Sequence, residues 1–186
     1  MNEKNPWQVL GKTEKYDNNW INVTEFDVIN PSGGIGIYGK VHFKNLAIGV
    51  LPLDENWNTW LVGQYRFTID QYTWEIPEGG GLMGVAPVES AKRELKEETG
   101  LEAQIWTELL RLHLSDSITD EYSILYLARE LTAGEPAPEE TEHLLVKKLP
   151  FDEVYEMLQS GKITDVMSVA AIQKVKLMML SGELTK

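Results

Sequence analysis

The spacing of apolar residues near the start of the chain predicts β-strands. Ile35, Ile37, Val41 and Phe43 occupy odd positions, and the residues between them are mostly polar or glycine. This period of two is typical of a strand with one face against a core. Residues 20–28 alternate less regularly but also favour a strand. The first part of the chain is therefore predicted to form a small β-rich lobe.

The rest of the chain alternates between strand and helix patterns. The nearly continuous apolar run at 46–53 is typical of a buried strand, and residues 59–67, beyond a polar turn, are its predicted hairpin partner. Further strands are predicted at 104–113, 122–130 and 143–149. Two closing helices are predicted at about 151–159 and 165–180. This alternation indicates a mixed α/β (α+β) fold.

A helix is also predicted from Pro87 to about Thr99, after a glycine-rich loop. Proline fits the first helical position, because the N–H that it lacks would have no partner there. Gly100 fits the position after the last turn, where left-handed geometry is common. Val88 and Leu95 fall in one narrow apolar arc at helical spacing, so this face is expected to be buried.

Composition is that of a globular protein and narrows the choice of partners. The 186 residues are 42% apolar and 25% charged, which suits one domain with an appended element. The absence of cysteine excludes a disulfide framework and thiolate chemistry. No apolar run has the length of a secretion signal or a membrane span, so a cytoplasmic protein is expected. The net charge of −12 disfavours nucleic acid, but a divalent cation could still bring in a small phosphorylated ligand.

Three carboxylates crowd the end of the predicted helix. Glu94, Glu97 and Glu98 lie at i, i+3 and i+4, so their side chains converge. Like charges at this spacing destabilise a helix by about 0.2–0.5 kcal/mol, and the last turn prefers cations. Only Arg93, beside Glu97, offers local compensation. One interpretation is a solvated acidic face; the other is a site for a hard divalent cation such as Mg²⁺, which would relieve both penalties.

The surrounding segment resembles the Nudix box, G-x5-E-x7-R-E-U-x-E-E-x-G-U, where U is apolar. Gly79 opens it, and its second half is filled in register by Arg93, Glu94, Leu95, Glu97, Glu98, Gly100 and Leu101. One position departs, because Val85 stands where the box has a glutamate. The resemblance implies an α/β/α sandwich with a mixed β-sheet at 44–186, preceded by the β-rich lobe at 1–43.

The resemblance also implies a metal site and a reaction. Glu94 and Glu98 would be metal ligands, and Glu97 would be a ligand or an orienting base. The backbone carbonyl of Glu78 would be a further ligand, and Arg93 would hold Glu97 in place. The cofactor would be Mg²⁺, with Mn²⁺ as a substitute, and the reaction would be attack of water on a diphosphate.

More of the chain is similar to the ADP-ribose and nucleoside-diphosphate-sugar branch of the family. The matching segments are 64–66, 75–79, 115–132 and 161–172. Candidate substrate contacts are Arg66, Trp20, Glu75 and Gly80. For Arg66 the alternative is a surface charge at a strand end, and for Trp20 it is a core residue.

The branch often takes a catalytic glutamate from a loop late in the chain. Glu139, Glu140 and Glu142 are the candidates here, against the alternative of a solvated loop. His113 and His143 are expected to be packing or surface residues.

The predicted activity is Mg²⁺-dependent hydrolysis of ADP-ribose or a related nucleotide sugar to a nucleoside monophosphate and a sugar phosphate. The alternatives are hydrolysis of dinucleoside polyphosphates or other nucleotides, and a nucleotide-sensing module without turnover. A homodimer is also expected, because the strands at 20–28 and 35–43 are too few to bury both of their faces.

Overall fold

The computed structural model describes residues 4–134 and 144–185. These contain ten strands and three helices. The strands are β1 (Gln8–Asp17), β2 (Ile21–Ile29), β3 (Ile35–Phe43), β4 (Leu46–Pro52), β5 (Asn58–Arg66), β6 (Gln71–Glu75), β7 (Glu78–Gly81), β8 (Leu101–His113), β9 (Tyr122–Ala133) and β10 (Leu145–Pro150). The helices are α1 (Pro87–Thr99), α2 (Phe151–Gln159) and α3 (Val166–Ser181).

Contacts divide the chain into two units. The first contains the residues up to Asn45 together with His113–Glu121. Its sheet has the order β1-β2-β3 with both pairs antiparallel, so that β2 is central. Segment 113–121 joins it through the amide of Val41, which donates to the carbonyl of Ile118 at 2.9 Å. Strand β1 was not predicted, because nearly all of its side chains are exposed and its sequence does not alternate.

The second unit is built on two sheets, with orders β7-β4-β9-β8 and β10-β5-β6. Strand β4 pairs antiparallel with β7 and parallel with β9. The predicted hairpin between 46–53 and 59–67 is therefore wrong: β5 pairs with β10 and β6, and only a bridge at Leu53 and Thr59 joins the two segments. The physical reason is that β4 is central, so both of its edges already have partners.

Helices cover both faces of the sheet around β4. On one face, Ala91 and Leu95 of α1 pack against Ile48 and Val50 in the hydrophobic core. The opposite face meets α3, where the hydroxyl of Ser123 contacts the sulfur of Met167 at 2.9 Å. A mixed sheet between helices confirms the predicted architecture.

Helix α1, which the sequence predicts from Pro87 to about Thr99, forms with the expected bounds. Pro87 occupies its first turn, and Gly100 ends it in the left-handed conformation with φ of 73°. The amide of Gly100 donates to the carbonyl of Lys96 at 2.9 Å and so satisfies one orphan carbonyl of the last turn. No helix in the described ranges is long and apolar enough to cross a membrane.

Candidate active site

Helix α1 carries its glutamates at different depths. Glu94 and Glu98, one turn apart, keep only 7% and 4% of their surface. The side chain of Glu97 is 28% exposed. A buried carboxylate is costly unless it is hydrogen-bonded or paired, so the surroundings of Glu94 and Glu98 define the site.

Arg93 connects the helix to the glycine-rich loop. Its Nη1 donates to Glu97 at 2.8 Å, and its Nη2 donates to Glu94 at 2.6 Å and to the carbonyl of Gly80 at 2.7 Å. One guanidinium therefore orients two carboxylates and anchors the loop. These are charge-assisted bonds, which are stronger than neutral ones.

Strand β7 passes directly against the two buried carboxylates. A Cβ added at Gly79 would overlap the carboxylate of Glu94, so only glycine permits this approach. The amide of Glu78 donates to Oε2 of Glu98 at 3.1 Å. Gly79, the first residue of the Nudix box, lies against Glu94, a candidate metal ligand. This close contact explains why the box begins with glycine.

A second charged cluster adjoins β7. Arg66 at the end of β5 donates to both carboxylate oxygens of Glu75, with Nε at 3.0 Å from each, and to Glu78 at 2.7 Å. Glu75 also accepts a 2.6 Å bond from Thr73. Burial by itself would lower the pKa of Arg66, but the hydrogen bond to Glu75 and the charge of Glu78 raise it. The guanidinium of Arg66 is therefore fixed by the carboxylates of Glu75 and Glu78 and is not a freely moving surface charge.

The carboxyl of Glu78 is unusual among the described residues. Its side chain is 9% exposed. Its Oε2 is buried and has no hydrogen-bond partner when Glu78 and Asp165 are both ionised. Burial, followed by the charge of Asp165, raises the pKa of Glu78 well above its ordinary value. Asp165 caps α3 by accepting from the amide of Ser168 at 2.7 Å. A proton on Glu78 would give Oε2 a hydrogen to donate to Asp165.

The donor set suits a hard cation. Carboxylates of Glu94, Glu97 and Glu98, with the carbonyl of Glu78, are the oxygen ligands that Mg²⁺ and Mn²⁺ prefer. Within residues 4–134 and 144–185, no three acidic, histidine or cysteine side chains converge as a ready-made metal group. Arg93 is bonded to two of these carboxylates, those of Glu94 and Glu97.

Three of the remaining predicted residues lie in the described parts of the chain. Trp20, just before β2 in the first unit, is 66% exposed and is not a core residue. Val85 is 42% exposed, and His113 is exposed. The predictions for Glu139, Glu140, Glu142 and His143 fall outside the described residues.

Two members of the charged cluster beside β7, Asp165 and the side chain of Glu78, were not predicted from the sequence. Asp165 precedes an apolar helix, which is the usual position of a capping residue, but nothing local connects it to Glu78. The side chain of Glu78 was not predicted either, because the family resemblance implies a role only for its backbone carbonyl.

Comparisons with known proteins identify the family of the chain. A family model described as the NUDIX domain matches residues 43–167, and the nucleoside diphosphate sugar hydrolase N-terminal domain matches residues 7–41. The first match covers more than half of the chain, and the chain therefore belongs to the Nudix hydrolase family.

Individual relatives differ in their named activities. The chain is 34% identical to an ADP-ribose pyrophosphatase of Mycobacterium tuberculosis H37Rv, over 78% of this chain and 71% of that protein. It is 31% identical to a CMP-5'-(N-acetyl-N-hydroxy-3-aminopropyl)phosphonate hydrolase of Streptomyces rubellomurinus, over 95% of this chain and 84% of that protein. A crystal structure of an ADP compounds hydrolase superposes with a TM-score of 0.86 at 20% identity, over 99% of this chain and all of the other, which shows a shared fold.

Proposed function

We propose that the protein hydrolyses the diphosphate linkage of ADP-ribose or a related nucleoside diphosphate sugar, with Mg²⁺ or Mn²⁺, to a nucleoside monophosphate and a sugar phosphate. The observation that carries the proposal is the pair of buried carboxylates, Glu94 and Glu98, packed against the Gly79 strand. The match to a nucleoside diphosphate sugar hydrolase N-terminal domain supports the substrate class.

The carboxylates of α1 and the carbonyl of Glu78 would hold the metal, which when bound polarises phosphoryl oxygens and activates water. Arg93 orients Glu94 and Glu97 by its two terminal nitrogens. Glu97 is the most exposed of the three glutamates and is the one that we assign to accept a proton from the attacking water. Glu140 and Glu142 stay predictions for the same role.

Arg66 is the residue that we assign to the substrate phosphates. Its Nε and Nη2 bind Glu75 and Glu78, which fixes the plane of the guanidinium. The remaining nitrogen, Nη1, would then bind a phosphate oxygen with little loss of side-chain freedom. In this scheme Glu75 acts by holding Arg66, and Gly80 acts by holding Arg93. Trp20 stays a prediction as a contact for the base.

Product analysis tests the proposal. Purified protein would be incubated with ADP-ribose, GDP-mannose, diadenosine polyphosphates and a CMP-phosphonate, each with and without Mg²⁺, and the products separated by ion exchange. We expect AMP and ribose 5-phosphate from ADP-ribose only with metal, and none with Glu98→Gln. Preferential turnover of the CMP-phosphonate would instead favour hydrolysis of a nucleotide phosphonate, the activity named for the relative that matches 95% of this chain. Binding without turnover would favour a sensing module.

We further propose that the protein is a homodimer formed through the first unit. Its third strand leaves two isoleucines of one face largely in solvent, Ile35 at 83% and Ile37 at 68%. Apolar side chains at this density in a three-stranded sheet are typical of an association surface. Light scattering at micromolar concentration should give twice the chain mass, and Ile35→Thr with Ile37→Thr should give a folded monomer. A monomeric wild type would exclude the dimer.

A further inference from the structure

A cavity of about 190 Å³ lies in the second unit, at the carboxyl ends of the parallel strands β4 and β9. The residues that follow the last pair of these strands, Leu53 and Arg129, both line it. The carboxylate site is elsewhere on β4, because Glu78 pairs with Gly49, about 13 Å away along the strand. The cavity is therefore separate from the site to which we assign hydrolysis.

Arg129 differs from the other arginines in its partners. Arg66, Arg93 and Arg111 each form an ion pair with a glutamate. Within residues 4–134 and 144–185, Arg129 forms no ion pair, and its Nε is buried without a hydrogen-bond partner. A buried donor that is left unsatisfied carries the cost of its lost hydration. The guanidinium of Arg129 therefore lacks an anion.

The acidic residues of the cavity wall do not supply that anion. Asp54 is paired with Lys148 at 2.8 Å. Glu55 and Glu130 also line the cavity, but among the described residues neither forms an ion pair with Arg129. Their negative charges disfavour a ligand that carries more than one negative charge. A monovalent anion is the kind that this wall admits.

The rest of the wall is apolar. It includes Leu53, Trp57, Ile105 and Leu184, and Leu184 is only 5% exposed. The backbone of Trp57 is left-handed, with φ of 64°, which is rare and strained for a bulky residue and is found mostly where the surrounding structure enforces it. An indole therefore lines the cavity from a turn position that glycine would occupy with less strain.

The size of the cavity limits the ligand. A cavity of roughly 150 Å³ can hold benzene, whereas pockets for drug-sized ligands begin at roughly 300 Å³. A volume of about 190 Å³ thus accommodates a body close to a benzene ring with a small polar group. It is too small for a nucleotide.

From these observations we infer that the cavity binds a small monocarboxylate with an apolar body of about the size of a benzene ring. The carboxylate accepts hydrogen bonds from the guanidinium of Arg129, whose planar set of donors matches its two oxygens. The apolar body lies against Trp57 and Ile105. This binding site goes beyond the proposed hydrolysis and does not depend on it.

Isothermal titration of the metal-free protein with benzoate tests the inference, with benzamide as the uncharged probe of the same shape. Benzoate should bind about 10–100-fold more tightly than benzamide, because its hydrogen bonds from Arg129 are charge-assisted. Benzoate at about ten times its Kd should also raise Tm by about 3–6 °C.

Two variants locate the binding. Arg129→Met retains the apolar stem of the side chain and removes the guanidinium, so benzoate affinity should fall about 10–100-fold, to that of benzamide. Arg111→Met, which removes an exposed arginine paired with Glu108 outside the cavity, is the matched control. It should change neither affinity.

Equal affinities for benzoate and benzamide in the wild type would overturn the inference, as would benzoate that does not bind at about 10 mM. A preference for benzoate that survives in Arg129→Met would place the binding elsewhere and would also overturn it. Tighter binding of inorganic phosphate than of benzoate would reject the monocarboxylate. If Arg129→Met does not fold, Arg129→Gln, which keeps a polar donor without charge, takes its place with the same expected loss.

Discussion

Replacing Gly79 by alanine tests whether close packing of β7 on α1 sets the geometry of the site. The added Cβ would stand roughly 1 Å too close to the carboxylate of Glu94 for van der Waals contact. The backbone of Gly79 is outside the left-handed region, so the effect comes from this overlap alone. Glu94 must therefore turn away, because its carboxylate is the end of a side chain whereas the strand is fixed by β4.

The displacement has two measurable costs. Glu94 would lose its bond from Arg93, which is partly exposed, so the cost should be near the lower end of about 1.5–3 kcal/mol. For a chain of this size that corresponds to a fall in Tm of about 3–6 °C. Because a misplacement of about 1 Å can reduce turnover by 10²-fold, kcat with Mg²⁺ should fall by about 100-fold.

A double-mutant cycle separates this cause from general damage. In a Glu94→Ala background the obstructing carboxylate is gone, so Gly79→Ala should add almost nothing to the loss of unfolding free energy in urea. The coupling energy between the two sites should be at least about 1 kcal/mol. Gly36→Ala, where the Cβ meets no atom within 4 Å, is the control and should behave as wild type. Normal turnover in Gly79→Ala, or strictly additive costs in the cycle, would refute the reasoning.

Three further substitutions test other parts of the structure. Glu98→Gln should retain the fold, because its amide oxygen can still accept from Glu78, and Tm without metal should hold or rise while turnover falls by at least about 100-fold; normal activity would contradict a metal role. Val85→Glu should change kcat less than about threefold, since Val85 is 42% exposed and the site is complete without it; a large gain would show an impaired site. Burial would raise the pKa of Asp54, but its hydrogen bonds with Lys148, Asn58 and Asn56 together outweigh burial and lower the pKa from 3.8 to about 2. Its stabilisation is therefore complete above about pH 5 and lost as pH falls toward 2. Asp54→Asn should remove about 2 kcal/mol of unfolding free energy at pH 7 and flatten the acid limb of a urea-unfolding series. An unchanged acid limb would show that the ionised Asp54 carboxylate beside Lys148 is not its source.

Local pattern was sufficient for the elements whose determinants are close together in sequence. Helix α1 was predicted with its observed bounds from Pro87, from Gly100 and from its apolar arc, because helical contacts and caps span only three or four residues. The spacing of the glutamates on α1 follows from the same periodicity. The family resemblance also rests on these contiguous residues, so it could be recognised without a structure.

Pairing between distant segments was decided by the tertiary structure. Strand β4 takes β9, more than seventy positions later, as its parallel partner in place of the adjacent β5, and apolar runs of equal quality do not reveal such a choice. The cluster of Arg66, Glu78 and Asp165 likewise joins three segments that are far apart in sequence. Nothing in the sequence distinguishes the carboxyl of Glu78 from a solvated one, and only the tertiary structure shows the burial and the neighbouring Asp165 that raise its pKa. Local periodicity reports which side of an element is buried, but not which element buries it. For that reason the attachment of Ile76 to Ser168 of α3 became visible only in the folded chain.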